Sequence, residues 1–192
     1  FTLERVLGTV PVEEDGSANF ELPAMRSIFF VALDEKNMSV KRMQSFMTVQ
    51  PGERISCIGC HENRGEAPRS PQLTIAMRRP PSQITPLAEI VGEDPVTGDP
   101  MPTVFDFPRD IQPILDRHCL ACHDYEETEQ GGPRAGGIVL SGDHGAIYSH
   151  SFYTLITKGL VIDAQNGDGN RPPRAVGTSA SPIMQMLDGQ YF

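Results

Sequence analysis

All four cysteines of the chain fall in two copies of one five-residue pattern, Cys57-Ile58-Gly59-Cys60-His61 and Cys119-Leu120-Ala121-Cys122-His123. No cysteine is left over. Two thiols separated by two residues can each add across one vinyl group of a single porphyrin. The histidine that follows is placed to reach the iron from the proximal side, so CxxCH is the attachment signature of c-type haem. Other uses of the same residues fit less well. Paired zinc knuckles lie about 15–20 residues apart, whereas 58 residues separate Cys60 from Cys119. A thioredoxin-like dithiol needs one CxxC in a βαβ setting, and two disulfides would leave His61 and His123 without a role. The residues predict two c-type haems, attached through Cys57 and Cys60 with His61 as proximal ligand, and through Cys119 and Cys122 with His123. Covalent haem attachment places the chain outside the cytoplasm, periplasmic or extracellular.

What such a protein does turns on the opposite face of each iron. A second histidine makes a low-potential carrier, a methionine raises the potential, and an open position permits catalysis. Three histidines remain. His150, at the start of an expected helix after the second motif, is the first candidate, His144 in the glycine-flanked loop before it the second, and His118 the third. His118 adjoins Cys119, so it is badly placed for its own haem but could serve a neighbouring one. Met184 and Met186 are further candidates near the C-terminus, and Tyr125, Tyr148, Tyr153 and Tyr191 are fallback oxygen ligands; the other methionines read as core fillers.

The elements that must position these groups are short. Leu3 to Val12, Asn19 to Leu22, Ser27 to Leu33 and Met38 to Val49 alternate as antiparallel strands, with turns at residues 13–17 and 34–37. Ile28-Phe29-Phe30 is expected as sheet core. From 62 to 108 prolines and glycines dominate, as expected of a segment wrapped around the first haem or linking two lobes. Phe107 to Leu120 reads as a helix with Ile111, Ile114 and Leu115 on one stripe, delivering the second motif. Short helices are expected at Ser149 to Thr157, with Phe152, Leu155 and Ile156 apolar, and at Ser181 to Leu187, with Ile183, Met184 and Leu187. Residues 163–170 read as a solvated loop, since their acidic and amide side chains lack the spacing of a calcium loop. The fold class is α+β: a small β-rich, sandwich-like part over residues 1–54 and a loop-rich dihaem cytochrome region over 55–192.

Composition agrees with an ordinary folded chain of 192 residues, with 39 % apolar residues and 35 Gly and Pro together, below the level of disordered sequences. The longest wholly apolar run, Ile28 to Leu33, has six residues, against roughly 20 for a membrane span. No basic-then-apolar leader precedes Phe1, so the chain reads as a mature product or an excised fragment. The net charge of −9 divides into −3 over residues 1–96 and −6 over 97–192. Such a surface repels nucleic acid and suits a neutral or cationic redox partner protein.

The run Gly8-Thr9-Val10-Pro11-Val12-Glu13-Glu14-Asp15-Gly16-Ser17-Ala18, then Ala32-Leu33-Asp34-Glu35, then Pro51-Gly52-Glu53 leading into CIGCHENR, resembles the C-terminal region of hydrazine synthase alpha-subunit-like proteins. Asp110-Ile111-Gln112-Pro113-Ile114-Leu115 before CLACH, with Gly136-Gly137-Ile138-Val139-Leu140 after it, is similar to planctomycete-type cytochrome c domains. The resemblance implies an exported multihaem protein whose longer relatives carry a β-propeller ahead of this region. In the synthase a tyrosine shortly after the first motif binds iron and the motif histidine is diverted to zinc. Here Glu62, Asn63, Arg64 and Gly65 follow His61, which leaves His61 an ordinary proximal ligand. The resulting expectation is a dihaem electron carrier rather than a catalyst. Two alternatives stand beside it: a haem enzyme of the synthase-alpha type with one open iron, and a haem-bridged oligomer or conductive filament in which a neighbour's histidine, His118 first, completes the ligation.

Overall fold

The computed structural model describes residues 4–59, 73–94, 98–125, 135–163 and 171–188. They form an α+β chain with short elements and much loop. Strand β1 (Val31–Leu33) pairs antiparallel with β2 (Ser39–Arg42), Val31 facing Arg42 and Ala32 facing Lys41, with a bulge before Leu33. The connecting turn is set by Asp34, whose Oδ1 accepts from the backbone N–H of Lys36 (3.0 Å) and Met38 (2.9 Å). That is the local bond by which aspartate competes with extended structure.

The remaining alternation of the N-terminal part produces single bridges rather than ladders. Ile28 pairs with Met47, Thr9 with Thr85, Phe20 with Ser82 and Arg5 with Val104. Ile28 and Val49 are buried, and the Phe20 and Phe30 rings meet edge to face at 5.5 Å. Much of the described part of the proline-rich stretch therefore lies against residues 5–20. Asp15 and Ser17 also accept from the N–H groups of Ile75 (2.9 Å) and Ala76 (3.1 Å). A short helix, α1 (Leu87–Val91), follows.

Gly8 is where this packing is tightest. Its φ is +135°, and a Cβ there would overlap the carbonyl oxygen of Thr85, the residue bridged to Thr9. Backbone cannot swing away as a side chain can. Gly8→Ala is expected to destabilise by about 2–3 kcal/mol through strain and a broken bridge. Urea unfolding checks this; a midpoint equal to that of the parent would refute the tight approach.

Helix α2 (Gln112–His118) is entered through one wide π turn, Phe107–Ile111. The cause is Pro113, which has no N–H for Arg109 and whose ring would press on that carbonyl in a regular helix. The turn widens instead, and the Gln112 N–H donates to the Phe107 carbonyl. The start is capped reciprocally: Asp106 accepts from the Arg109 N–H (3.2 Å), and the Asp106 N–H donates to Asp110 (2.6 Å). The Arg109 guanidinium grips both Asp110 oxygens at 2.7 Å and holds that carboxyl below the ordinary carboxylate range.

Helix α3 (His150–Thr157) begins at Ser149, whose side chain caps it, and α4 (Pro182–Leu187) begins after Ser181 with proline at its first position. Leu115 of α2, Leu140 and Leu155 of α3 form the buried cluster. Phe107, Ile111, Cys119, Ile138, Leu160, Val161 and Ile183 pack around it. The segment 171–181 ties this region to the β1–β2 hairpin. Thr178 accepts from the Ser39 N–H (2.7 Å), the Arg174 N–H donates to Val40 (2.7 Å), and the Arg174 side chain pairs with Asp34 at 2.8 Å. The Arg174 hydrogen bond, ahead of those from the turn backbone, lowers the Asp34 pKa. Gly177 has φ +78°, which favours glycine, and a Cβ there would also press on the Ser39 hydroxyl.

Among the described residues the buried apolar positions are Ile28, Val49, Ala76, Leu115, Val139, Leu140 and Leu155, while large apolar side chains such as Phe46, Ile147 and Tyr153 stand exposed. No helix among the described residues is long and apolar enough to cross a membrane.

Candidate functional site

The second cysteine motif continues directly out of α2. Leu115 accepts from the N–H groups of Cys119 (2.8 Å) and Leu120 (3.0 Å), and Cys119 accepts in turn from Cys122 (3.2 Å) and His123 (3.0 Å). These successive turns hold Cys119, Cys122 and His123 on one short coil. Both cysteines are half-buried thiols, and burial, with the neighbouring Cys122 adding to it, raises the Cys119 pKa. Among the described residues no group of three or more His, Cys, Asp or Glu side chains could hold a metal ion.

His123 is not an ordinary satisfied core histidine. Its Nδ1 is buried without a hydrogen-bond partner, and a buried polar atom left unpaired costs about 1–3 kcal/mol. Its backbone, by contrast, is well held: the carbonyl accepts from the Leu140 N–H at 2.8 Å.

Two residues further on, Tyr125 lines a cavity of about 470 Å³ with His144, Ile147, Tyr148, His150 and Tyr153. A second cavity of about 260 Å³ shares Tyr125, His150 and Tyr153, and adds Val139 and Thr157. His150, Tyr153 and Thr157 are spaced three and four apart, so one face of α3 forms this wall. The His150 and Tyr125 rings meet at 5.5 Å, and a run of rings, Tyr148 to Phe152 (5.1 Å) to Phe107 (5.2 Å), backs the wall. At the mouth, Ile147 is 78 % exposed and Tyr153 57 %.

Of the expected distal residues, His150 and His144 thus share one cavity. His150 is half-buried and His144 exposed. His118 ends α2 exposed to solvent and lines neither cavity. Met184 and Met186 sit half-buried on α4, also away from both. Cys57 of the first motif is an exposed thiol. Cys60, His61, Tyr191 and most of the 163–170 loop lie outside the described residues.

The residues of the second motif fit a c-type haem. Cys119, Cys122 and His123 sit together on one coil, and the hollow lined by His144, His150 and three tyrosines meets that coil through Tyr125, with none of the three motif side chains in its lining.

Sequence reasoning did not single out Gln112. Its amide is buried, with Nε2 donating to the Leu140 carbonyl (3.0 Å) and to Asp116 (2.7 Å), while Oε1 accepts from the hydroxyl of fully buried Ser151. The available signal is spacing, because Gln112, Leu115 and Cys119 fall on one helical face.

A family model described as the hydrazine synthase alpha subunit middle domain matches residues 1–62. The match covers the β-rich part and the first CxxCH, stops short of the second, and names a middle domain where the sequence resemblance pointed to a C-terminal region. No curated protein and no solved structure matches the chain. Over its first third, then, this chain is similar to the middle domain of hydrazine synthase alpha subunits.

Proposed function

We propose that the chain is a dihaem c-type cytochrome that transfers electrons outside the cytoplasm. The observation that carries this reading is the pair of complete CxxCH sets that together use every cysteine. The short coil that carries Cys119, Cys122 and His123 together, with the His150 and tyrosine side chains that adjoin it through Tyr125, supports it. Each haem, when bound, supplies a one-electron ferric/ferrous couple. The chain's own residues anchor and tune it. Cys119 and Cys122 would hold the group by thioether bonds, in which each S–H adds across a vinyl double bond. His123 would bind its iron, and His150, ahead of His144, would supply the second iron ligand. Tyr125 and Tyr153 would pack against the group from the hollow, and the extent to which they bury it would shift its potential. Cys57, Cys60 and His61 hold the first haem in the same way. The acidic C-terminal half favours a redox partner protein with a neutral or basic face.

A second reading draws on the family match, which includes the first motif. In it the first haem keeps an open or weakly held position and acts on a small nitrogen compound or peroxide. Spectroscopy of the purified protein separates the two. A carrier is expected to show two low-spin ferric haems and no carbon monoxide adduct after reduction. High-spin ferric bands with stoichiometric carbon monoxide binding would overturn the carrier reading in favour of the enzyme.

A further inference from the structure

The second motif and α3 are joined by a short chain of hydrogen bonds. The His123 carbonyl accepts from the Leu140 N–H (2.8 Å), the Leu140 carbonyl from Gln112 Nε2 (3.0 Å), and Gln112 Oε1 from the Ser151 hydroxyl. Ser151 follows His150 directly. On its other side Ser149, the helix cap, shares a hydrogen bond with Ser151 (3.2 Å) and accepts from the Phe152 N–H (3.3 Å). His150 is therefore bracketed by two serines whose hydroxyls face inward, while its own ring faces the cavity. The backbone continues the restraint: the His150 N–H donates to Asp143 (2.8 Å) and the Ser151 N–H to Ser141 (3.0 Å).

Polar groups at this depth are costly unless satisfied. Gln112 is 7 % exposed and Ser151 0 %. An apolar pair would fill the same space without that cost, but it could slide or rotate. A fully satisfied network admits one register only. We infer that Gln112 and Ser151 are positioning residues, which set the rotation of α3 so that the His150 imidazole is held toward the group bound on His123. This rests on the dihaem reading above. Gln112 touches neither iron nor porphyrin in this account; it acts through Ser151 and Leu140.

The test uses the intact haem-loaded protein and four variants: His150→Ala, Gln112→Leu, Ser151→Ala and Gln112→Glu. Intact mass comes first. A wild-type chain that lacks haem on Cys119 and Cys122 would overturn the dihaem reading, and this inference with it. With both haems present, His150→Ala is expected to convert one haem from low spin to high spin in its paramagnetic resonance and optical spectra. Gln112→Leu and Ser151→Ala are expected to keep both haems by mass yet show a partial conversion of that same haem, with its midpoint potential displaced and the other unmoved. Gln112→Glu, which still accepts from Ser151 but cannot donate to Leu140 and sets a carboxylate against Asp116, is expected to show the same partial conversion as Gln112→Leu. If Gln112→Leu does not fold, Ser151→Ala decides, because it removes one hydroxyl and leaves the helix backbone bonds in place. Wild-type spectra in Ser151→Ala beside an altered His150→Ala would reduce the network to packing alone. An unaltered His150→Ala would remove the ligand that the network is argued to position.

Discussion

A Cys119→Ser, Cys122→Ser chain, made in a host that attaches haem, is expected to emerge one haem lighter than wild type and without a cooperative unfolding transition in its C-terminal half. The mass loss follows from the motif, since no other cysteine pair is available to hold that haem. The loss of cooperativity follows from the packing. The buried cluster of this half contains three leucines, while Ile147, Tyr148 and Tyr153 stand exposed around the adjoining hollow. A macrocycle seated there removes a few hundred Å² of apolar surface from water, which at about 25 cal/mol per Å² is worth on the order of 5–10 kcal/mol. That equals the whole net stability of a typical domain, about 5–15 kcal/mol. Without it the half should keep helical signal but lose fixed packing, as near-ultraviolet dichroism and a thermal scan would report. The Cys57→Ser, Cys60→Ser chain is expected to lose one haem as well while the α2–α3 region still melts cooperatively. An unchanged mass in either variant, or wild-type melting in the first, would contradict this account.

Helices α2, α3 and α4 were readable because their signals are local, whereas α1 lies in the proline-rich stretch read as irregular chain. Ser149 caps the start of α3, Pro182 opens α4, and Asp106 and Pro108 mark the entry to the turn before α2. The strands were over-read for a physical reason. Alternation identifies extended chain, but a ladder also needs a partner with consecutive donors. For residues 5–20 the partners are residues 82–85 and 103–104, which are flanked by Pro80, Pro81, Pro86, Pro100 and Pro102, so each of these contacts is one bridge long. Among the described residues only β1 and β2 pair over several residues. The apolar stripe expected in α2 was misplaced: Ile114 is 37 % exposed and Gln112 takes an inward place. In α3 the buried positions are Ser151, Thr154 and Leu155, with Phe152 and Ile156 half-buried. Hydrophobic periodicity cannot locate a face that is partly polar, and Gln112 and Ser151 belong to the one network that links the motif to His150. The cysteines and histidines themselves needed no such inference, since their type and spacing state the chemistry directly.

Leu115 is where fold and site depend on the same side chain, and its truncation gives the largest expected effect of any single core change. It is 6 % exposed within the Leu115, Leu140 and Leu155 cluster, and its carbonyl accepts the N–H groups of Cys119 and Leu120. Leu115→Ala opens a cavity directly beneath the turn that carries the second motif. The surrounding elements are short and cannot close it without moving that turn, so the cost is expected at about 2–5 kcal/mol, the range for buried leucine truncations. Ile114→Ala, at the adjacent but partly exposed position, is expected to cost under about 1 kcal/mol. Denaturant unfolding of the two variants, compared at equal slope, measures the difference. A second consequence separates site from fold: Leu115→Ala should lower the fraction of chains carrying a haem on Cys119 and Cys122, while the first motif loads as before. Similar midpoints for the two variants, or equal loss of haem at both motifs, would mean that the leucine cluster is not the support of the second motif.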